Sequence, residues 1–222
     1  MFKEILVPLD GSKNSERILP HIEHLTKTAP AKVRLVHVVG RTNDALVSGQ
    51  NYLAQVQAAW REKIADLDGT VLMGNPEKQI LTFAITRSCD LIALVTRGQT
   101  GLRRLIYGSC AEALLRKSTV PLYLARAHVE PRPIQKILVP VDGSSRGMKI
   151  LPLAGELAKI AGASVALLQV VAADGEKDKT AATLASIQAG LEKKERKASS
   201  AVRVGKPVAQ ILAAAKGDGV DL

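Results

Sequence analysis

One octapeptide, met twice, constrains this chain more than anything else in it. Ile5-Leu6-Val7-Pro8-Leu9-Asp10-Gly11-Ser12 returns as Ile137-Leu138-Val139-Pro140-Val141-Asp142-Gly143-Ser144, 132 positions later. Three consecutive β-formers read as a strand buried on both faces, as in a parallel sheet. Pro then interrupts the ladder because it has no N–H to donate. Asp-Gly-Ser makes a turn and offers caps for a following helix. An acidic side chain therefore falls at the carboxyl end of a central strand, where open α/β sheets bind their ligands.

The match extends beyond the octapeptide. Ile18-Leu19-Pro20 returns as Ile150-Leu151-Pro152, and Val38-Val39 as Val170-Val171. One residue is then lost: Gly74-Asn75-Pro76 becomes Gly205-Lys206-Pro207, and Asp90-Leu91 becomes Asp221-Leu222. The chain is thus a tandem repeat. Residues 92–126 have no counterpart in the second copy. Glu130-Pro131-Arg132-Pro133 reads as the linker, which gives domains 1–130 and 134–222.

In the first copy, strands are expected over Glu4–Leu9, Lys32–Val39, Thr70–Met73, Leu91–Thr96 and Val120–Ala125. Helices are expected over Ser15–Thr28, Ala45–Leu67, from Pro76, and over Ser109–Lys117. Strands alternating with helices specify a parallel sheet with right-handed crossovers. The second copy repeats this through its third helix, with Thr180–Arg196 as its long one.

Composition narrows the function classes. No apolar run reaches the ~18 residues a membrane span needs, and no signal-peptide pattern opens the chain. Two cysteines, Cys89 and Cys110, make no disulfide framework, so a reduced, cytoplasmic setting is the plain expectation. The net charge of +10 is spread evenly, 17 basic against 12 acidic residues over 1–130 and 14 against 9 over 131–222. The densest cluster, Lys193, Lys194, Arg196 and Lys197, is interleaved with Glu192 and Glu195 and reads as a solvated helix face. Nucleic-acid binding is not expected, because no aromatics or recognised binding pattern accompany that cluster.

The chemistry-bearing stretch is Thr96-Arg97-Gly98-Gln99-Thr100-Gly101-Leu102-Arg103-Arg104-Leu105-Ile106-Tyr107-Gly108-Ser109. Glycines let a backbone approach an anion, and a helix opening at Ser109 would present free N–H groups to phosphate. Ser109 with Glu112 fits a capping box. Arg97, Arg103 and Arg104 add positive charge. On these residues alone, an anion site and an ordinary capped loop are both open. There is no Walker-type Gly-Lys-Ser/Thr, and Gly98-x-x-Gly101 is too short for a dinucleotide fingerprint.

Lys3–Ser12, Val36–Val39, Gly74–Pro76 and Arg97–Ser109, in that order and spacing, resemble the universal stress protein family, as a tandem covering nearly the whole chain. The resemblance implies two open parallel-sheet, Rossmann-like domains of strand order 3-2-1-4-5, the second lacking strands 4 and 5. The family's ATP-binding branch carries Gly-x2-Gly-x9-Gly-Ser/Thr; Gly98, Gly108 and Ser109 match it, while its first glycine falls on Val95. A β-branched residue there is expected to narrow the loop or resist its backbone angles.

The resemblance further implies that Pro8, Leu9 and Asp10 line the ribose and adenine side, and that Val38 meets adenine through its backbone. Arg97, Gly98, Gly108, Ser109 and Cys110 would hold the phosphates of ATP. Asp10 repels phosphate, so ribose hydroxyls or a divalent ion such as Mg2+ are its sensible partners, with a plain turn role as the alternative. Cys110 reads as a small helix-start residue rather than a nucleophile, and His37 as a half-buried imidazole rather than a base. His21 and His24 read as surface residues.

The expected function is a regulatory, stress-response module that binds ATP in the first domain. The alternative is a scaffold that binds no nucleotide and acts through protein contacts. Slow hydrolysis or autophosphorylation at Ser109 stays open, but no nucleophile–base pair marks a fast enzyme. A receiver-like phospho-acceptor role for Asp10 lacks the companion acids and lysine it would need. The second copy, without a counterpart of Gly98–Ser109, is expected to bind no triphosphate. Its first strand becomes an edge. The expectation is therefore either a C-terminal tail beyond Leu222 or a second chain over the open surfaces. The preferred form is a homodimer through Leu122–Ala125.

Overall fold

The structure is a computed structural model that describes residues 2–96, 108–127, 129–194 and 197–222. The chain divides into two compact units, Phe2–Pro131 and Arg132–Leu222.

In the first unit, strands β1 (Glu4–Leu9), β2 (Lys32–Val39), β3 (Leu67–Met73), β4 (Leu91–Thr96) and β5 (Leu122–Arg126) form one sheet in the order β3-β2-β1-β4-β5. Every neighbouring pair is parallel, as the alternation of strands and helices requires. Its helices are α1 (Lys13–Glu16), α2 (Leu19–Thr28), α3 (Asn43–Trp60), α4 (Pro76–Thr86) and α5 (Ser109–Lys117). The central strand explains its own sequence: Ile5, Leu6 and Val7 are all fully buried, because helices cover both faces. On one face Leu6, Val36, Ile92 and Leu94 meet Ile80 and Phe83 of α4 and Ala111 and Leu114 of α5.

Two helices of the first unit differ from their sequence expectation. The helix expected over Ser15–Thr28 is broken at Arg17–Ile18 and restarts as α2, with Pro20 in its first turn. Pro20 cannot donate back to residue 16, so the chain opens a new helix there. The helix expected to reach Leu67 stops at Trp60. Leu67–Met73 is instead drawn into the sheet, paired with Val33–Val39. Ile64 keeps its place in the apolar stripe through one last turn, its N–H bonded to Trp60 O at 2.9 Å.

The second unit holds β6 (Lys136–Val141), α6 (Ile150–Ala161), β7 (Ser164–Val171), α7 (Lys177–Glu192), β8 (Ala198–Val204) and α8 (Pro207–Gly217). Its sheet is parallel, in the order β6-β7-β8, with β6 at the edge as expected. The repeat holds at the level of single atoms. Asp90 Oδ2 accepts the N–H groups of Lys3 (2.6 Å) and Glu4 (3.0 Å), stapling the start of β4 to the start of β1. Asp221 Oδ2 accepts those of Gln135 (2.9 Å) and Lys136 (3.1 Å) in the same way. Leu222 then takes up the first rung beside β6, its carbonyl accepting the Leu138 N–H at 2.7 Å.

Candidate functional site

That rung shows which side of the strand each residue serves. Leu138 turns its N–H outward from β7, so Pro140, two residues on, faces the same way. Pro8 occupies the matching place in β1 and has no N–H to offer β4. The ladders record the consequence. Strands β1 and β2 pair from Glu4↔Lys32 through Leu9↔His37, whereas β1 and β4 pair only at Ile5↔Leu91 and Leu6↔Ile92. Beyond that point the two strands part, at the carboxyl ends and at the position where the strand order reverses.

The parting opens a cleft of ≈ 320 Å³. Pro8, Leu9, Asp10, Val38, Gly108, Ser109 and Cys110 all line it. Arg97 and Gly98, with Arg103 and Arg104, lie outside the described residues. Sequence reading missed the floor: Val36, Ile80, Leu94 and Leu114 are core residues whose upper surface forms it. It also missed Asn14 and Ser15 at one wall. Apolar periodicity marks the floor residues as core without showing that the core is open at one end.

Asp10 has a defined turn role. Its Oδ1 accepts the Ser12 N–H (3.0 Å) and hydroxyl (2.5 Å), across Gly11 at φ +84. Ser12 Oγ in turn caps α1 by accepting the Ser15 N–H at 3.1 Å. Asp142 repeats the device with Ser144 at 2.9 and 2.7 Å, across Gly143 at φ +76. Those two hydrogen bonds hold the Asp142 carboxyl below the usual carboxylate range.

The opposite wall corrects the expected capping box. Gly108, not Ser109, is the N-cap of α5, with φ −60 and ψ 151 and no side-chain cap. Ser109 is the first helical residue, and Glu112 pairs with Arg116 one turn on. The first-turn N–H groups of Ser109, Cys110 and Ala111 have no intrahelical acceptor. They belong to residues that line the cleft, so the positive end of the helix dipole serves this wall. Val95, expected to narrow the loop or resist its backbone angles, sits in ordinary strand register with Ala125. Ser88 is the only non-glycine with positive φ among the described residues. The Val95 side chain does line the cleft.

The Cys110 thiol is pushed up by burial first, then by the Glu77 and Asp10 carboxylates, which makes it a poor nucleophile at neutral pH. His37 is half-buried, as expected, and hydrogen-bonds Leu9 O at 2.9 Å. His21 is not on the surface. It is buried, with Nε2 2.9 Å from Val129 O and Nδ1 3.3 Å from Tyr123 Oη. Its partners come from β5 and the segment after it, and the Ala127 carbonyl of that segment also accepts from Arg17. Helical periodicity alone could not reveal that segment. Among the described residues no cluster of His, Cys, Asp and Glu could hold a metal ion, and no helix is long and apolar enough to cross a membrane.

These features define a class: tandem parallel α/β units, the first with the reversed strand order of a doubly wound sheet and a cleft at its switch point. The family model described as "Universal stress protein family" matches residues 1–126 and 133–222, and the chain belongs to that family. Universal stress protein MJ0531 of Methanocaldococcus jannaschii is 28% identical over an alignment of 141 positions that covers 57% of this chain and 83% of the relative. Universal stress protein YxiE of Bacillus subtilis is 26% identical over 57% of this chain and all of its own length. The crystal structure of a universal stress protein from Archaeoglobus fulgidus has the same fold at a TM-score of 0.80 and 23% identity. It covers 98% of this chain and 84% of the other.

Proposed function

We propose that the first unit binds an adenine nucleotide, ATP, in the cleft between β1 and β4, as a regulatory module of the stress response. The observation that carries this reading is the pairing of two walls. The N-terminus of α5, whose N-cap glycine brings no side chain to cover it, lies on one side and the Asp10 turn on the other, above an apolar floor. Free N–H groups and a helix dipole stabilise phosphate. Ile80 and Leu94 give the cleft an apolar floor against which a purine would pack, with the Val38 backbone beside it. Asp10, the one carboxylate among the described residues lining the cleft, suits ribose hydroxyls and is the natural ligand for a divalent ion brought in with the nucleotide. Ser109 is placed to donate its hydroxyl, and Arg97 and Gly98 enter this reading from the family resemblance. Slow hydrolysis or autophosphorylation at Ser109 is compatible with this reading.

Calorimetry with ATP tests the reading. Saturable heat at one site per chain is expected, because the second unit offers no counterpart of Gly108–Ser109. No heat at millimolar ATP would sink the proposal. One observation favours the alternative of a nucleotide-free scaffold: the Val95 side chain stands in the cleft where the family's ATP-binding branch has glycine. We also propose a homodimer through the free side of β5. Light scattering should show a dimer that Leu124→Pro dissociates, since proline removes an edge donor.

A further inference from the structure

The cleft contains a peptide unit held at both ends, and one of the residues holding it lies outside the cleft. The carbonyl of Leu9 and the N–H of Asp10 belong to the same planar amide. The N–H end donates to Ser15 Oγ at 3.3 Å. The carbonyl end accepts from Nδ1 of His37 at 2.9 Å, across the Leu9↔His37 rung. A carbonyl can only accept, so His37 carries its proton on Nδ1.

The ring is also wedged in place. A Cβ on Gly11 would lie 3.5 Å from His37 Cε1, so the imidazole packs directly beneath the turn glycine. Behind it, Gly49 lets α3 approach so closely that a Cβ there would lie 3.2 Å from His37 Cδ2. Tyr52 of the same helix packs against the ring at 5.0 Å between centroids, tilted 59°. The second unit repeats the arrangement with a different side chain: Gln169 Nε2 lies 3.1 Å from where a Cβ on Gly143 would be. In both copies a long polar residue of the second strand supports the Asp-Gly turn.

We propose that His37 is a positioning residue of the nucleotide site: its Nδ1–H clamps the Leu9–Asp10 peptide and thereby fixes where the Asp10 carboxylate meets the ligand. This rests on the reading of the cleft as a nucleotide site. His37 itself does not line the cleft. It acts through the orientation of one amide plane, which sets the direction in which Asp10 leaves the backbone.

Two substitutions separate the clamp from simple packing. His37→Phe keeps a ring beneath Gly11 and against Tyr52 but has no donor. His37→Asn discards the ring and keeps an amide N–H at the place of Nδ1. The expected result is ATP binding weakened about tenfold by His37→Phe, the worth of one net hydrogen bond, and restored to within about threefold by His37→Asn. In an Asp10→Ala background, His37→Phe should cost little more, since the two residues act as one unit. Full-strength binding by the Phe variant, an Asn variant as weak as it, or additive losses would overturn the proposal.

Two readouts need no ligand, so they survive a failure of ATP binding, which would instead refute the reading of the cleft. The imidazole 15N spectrum of the unaltered chain should show His37 as the Nδ1–H tautomer, and the opposite tautomer would overturn the clamp. Amide exchange at Asp10 and Ser12 should quicken about tenfold in His37→Phe and not in His37→Asn, with Ile5–Val7 unchanged. Unchanged exchange at Asp10 would also overturn it.

Discussion

Gly108→Ala separates a glycine needed by the fold from one needed by a ligand. At φ −60 and ψ 151 the backbone suits any L-residue, and an added Cβ would meet no described atom within 4 Å. Replacing an N-cap glycine by alanine costs up to about 1 kcal/mol. Reduced freedom of the unfolded chain returns about 0.4–1 kcal/mol. The two effects nearly cancel, so the melting temperature should move by no more than about 4 °C in a chain of this size. Binding is a different matter. A phosphate oxygen must come within about 2.9 Å of the N–H groups here, and a methyl group beside them holds it off. Losing one charge-assisted hydrogen bond of about 1.5–3 kcal/mol weakens ATP roughly 10- to 150-fold. Thermal melts and calorimetry on the same preparation read both quantities. A variant that melts and binds like the parent would remove Gly108 from the ligand site. A variant that unfolds would show that the glycine serves the fold.

Three further outcomes follow from the same geometry. Val95→Gly should tighten ATP binding by calorimetry, because it clears the one β-branched side chain that intrudes where the family's ATP-binding branch has glycine. Asp90→Ala should destabilise the first unit by about 2–4 kcal/mol in urea unfolding, since it orphans the Lys3 and Glu4 N–H groups that one carboxylate oxygen now accepts. His21 is depressed by burial, so the fold prefers it neutral. Its contribution is complete above the ordinary histidine pKa of about 6.5 and is lost as pH falls below it toward the folded value. His21→Gln should flatten that acid-side slope in stability measured against pH.

Much of the fold is legible in the sequence, because a buried parallel strand announces itself. Ile5-Leu6-Val7 and Leu91–Val95 are apolar runs on both faces, and Gly74 and Gly205 each mark the end of a third strand with φ above +120. Pro20 falls inside the stretch expected to be one helix, and the apolar spacing of Ile18, Leu19 and Ile22 reads through it, so one helix was expected where two form. Trp60, Ile64 and Leu67 keep a helical spacing that the edge of β2 overrides at Leu67. Of the candidate site, Gly108 came from the family resemblance, while Pro8 and the Asp10 turn were legible because the motif repeats. Its floor was not, since Val36, Ile80 and Leu94 differ from other core residues only in where the strands part. Ser109 was misplaced by one residue because Gly108 can serve as an N-cap without any side chain. His21 was misread because its partners, Tyr123 and Val129, lie about a hundred residues away.

The central claim is a single nucleotide site on the first unit, with its phosphates at the start of α5. Titrating the 15N-labelled chain with ATP and following backbone amides tests it most directly. Saturable shifts are predicted at Gly108, Ser109 and Cys110, with smaller ones at Asp10 and Val38, and none at Asp142, Gly143 and Ser144. Silence at Gly108–Cys110, or equal shifts at the Asp142 turn, would contradict the account.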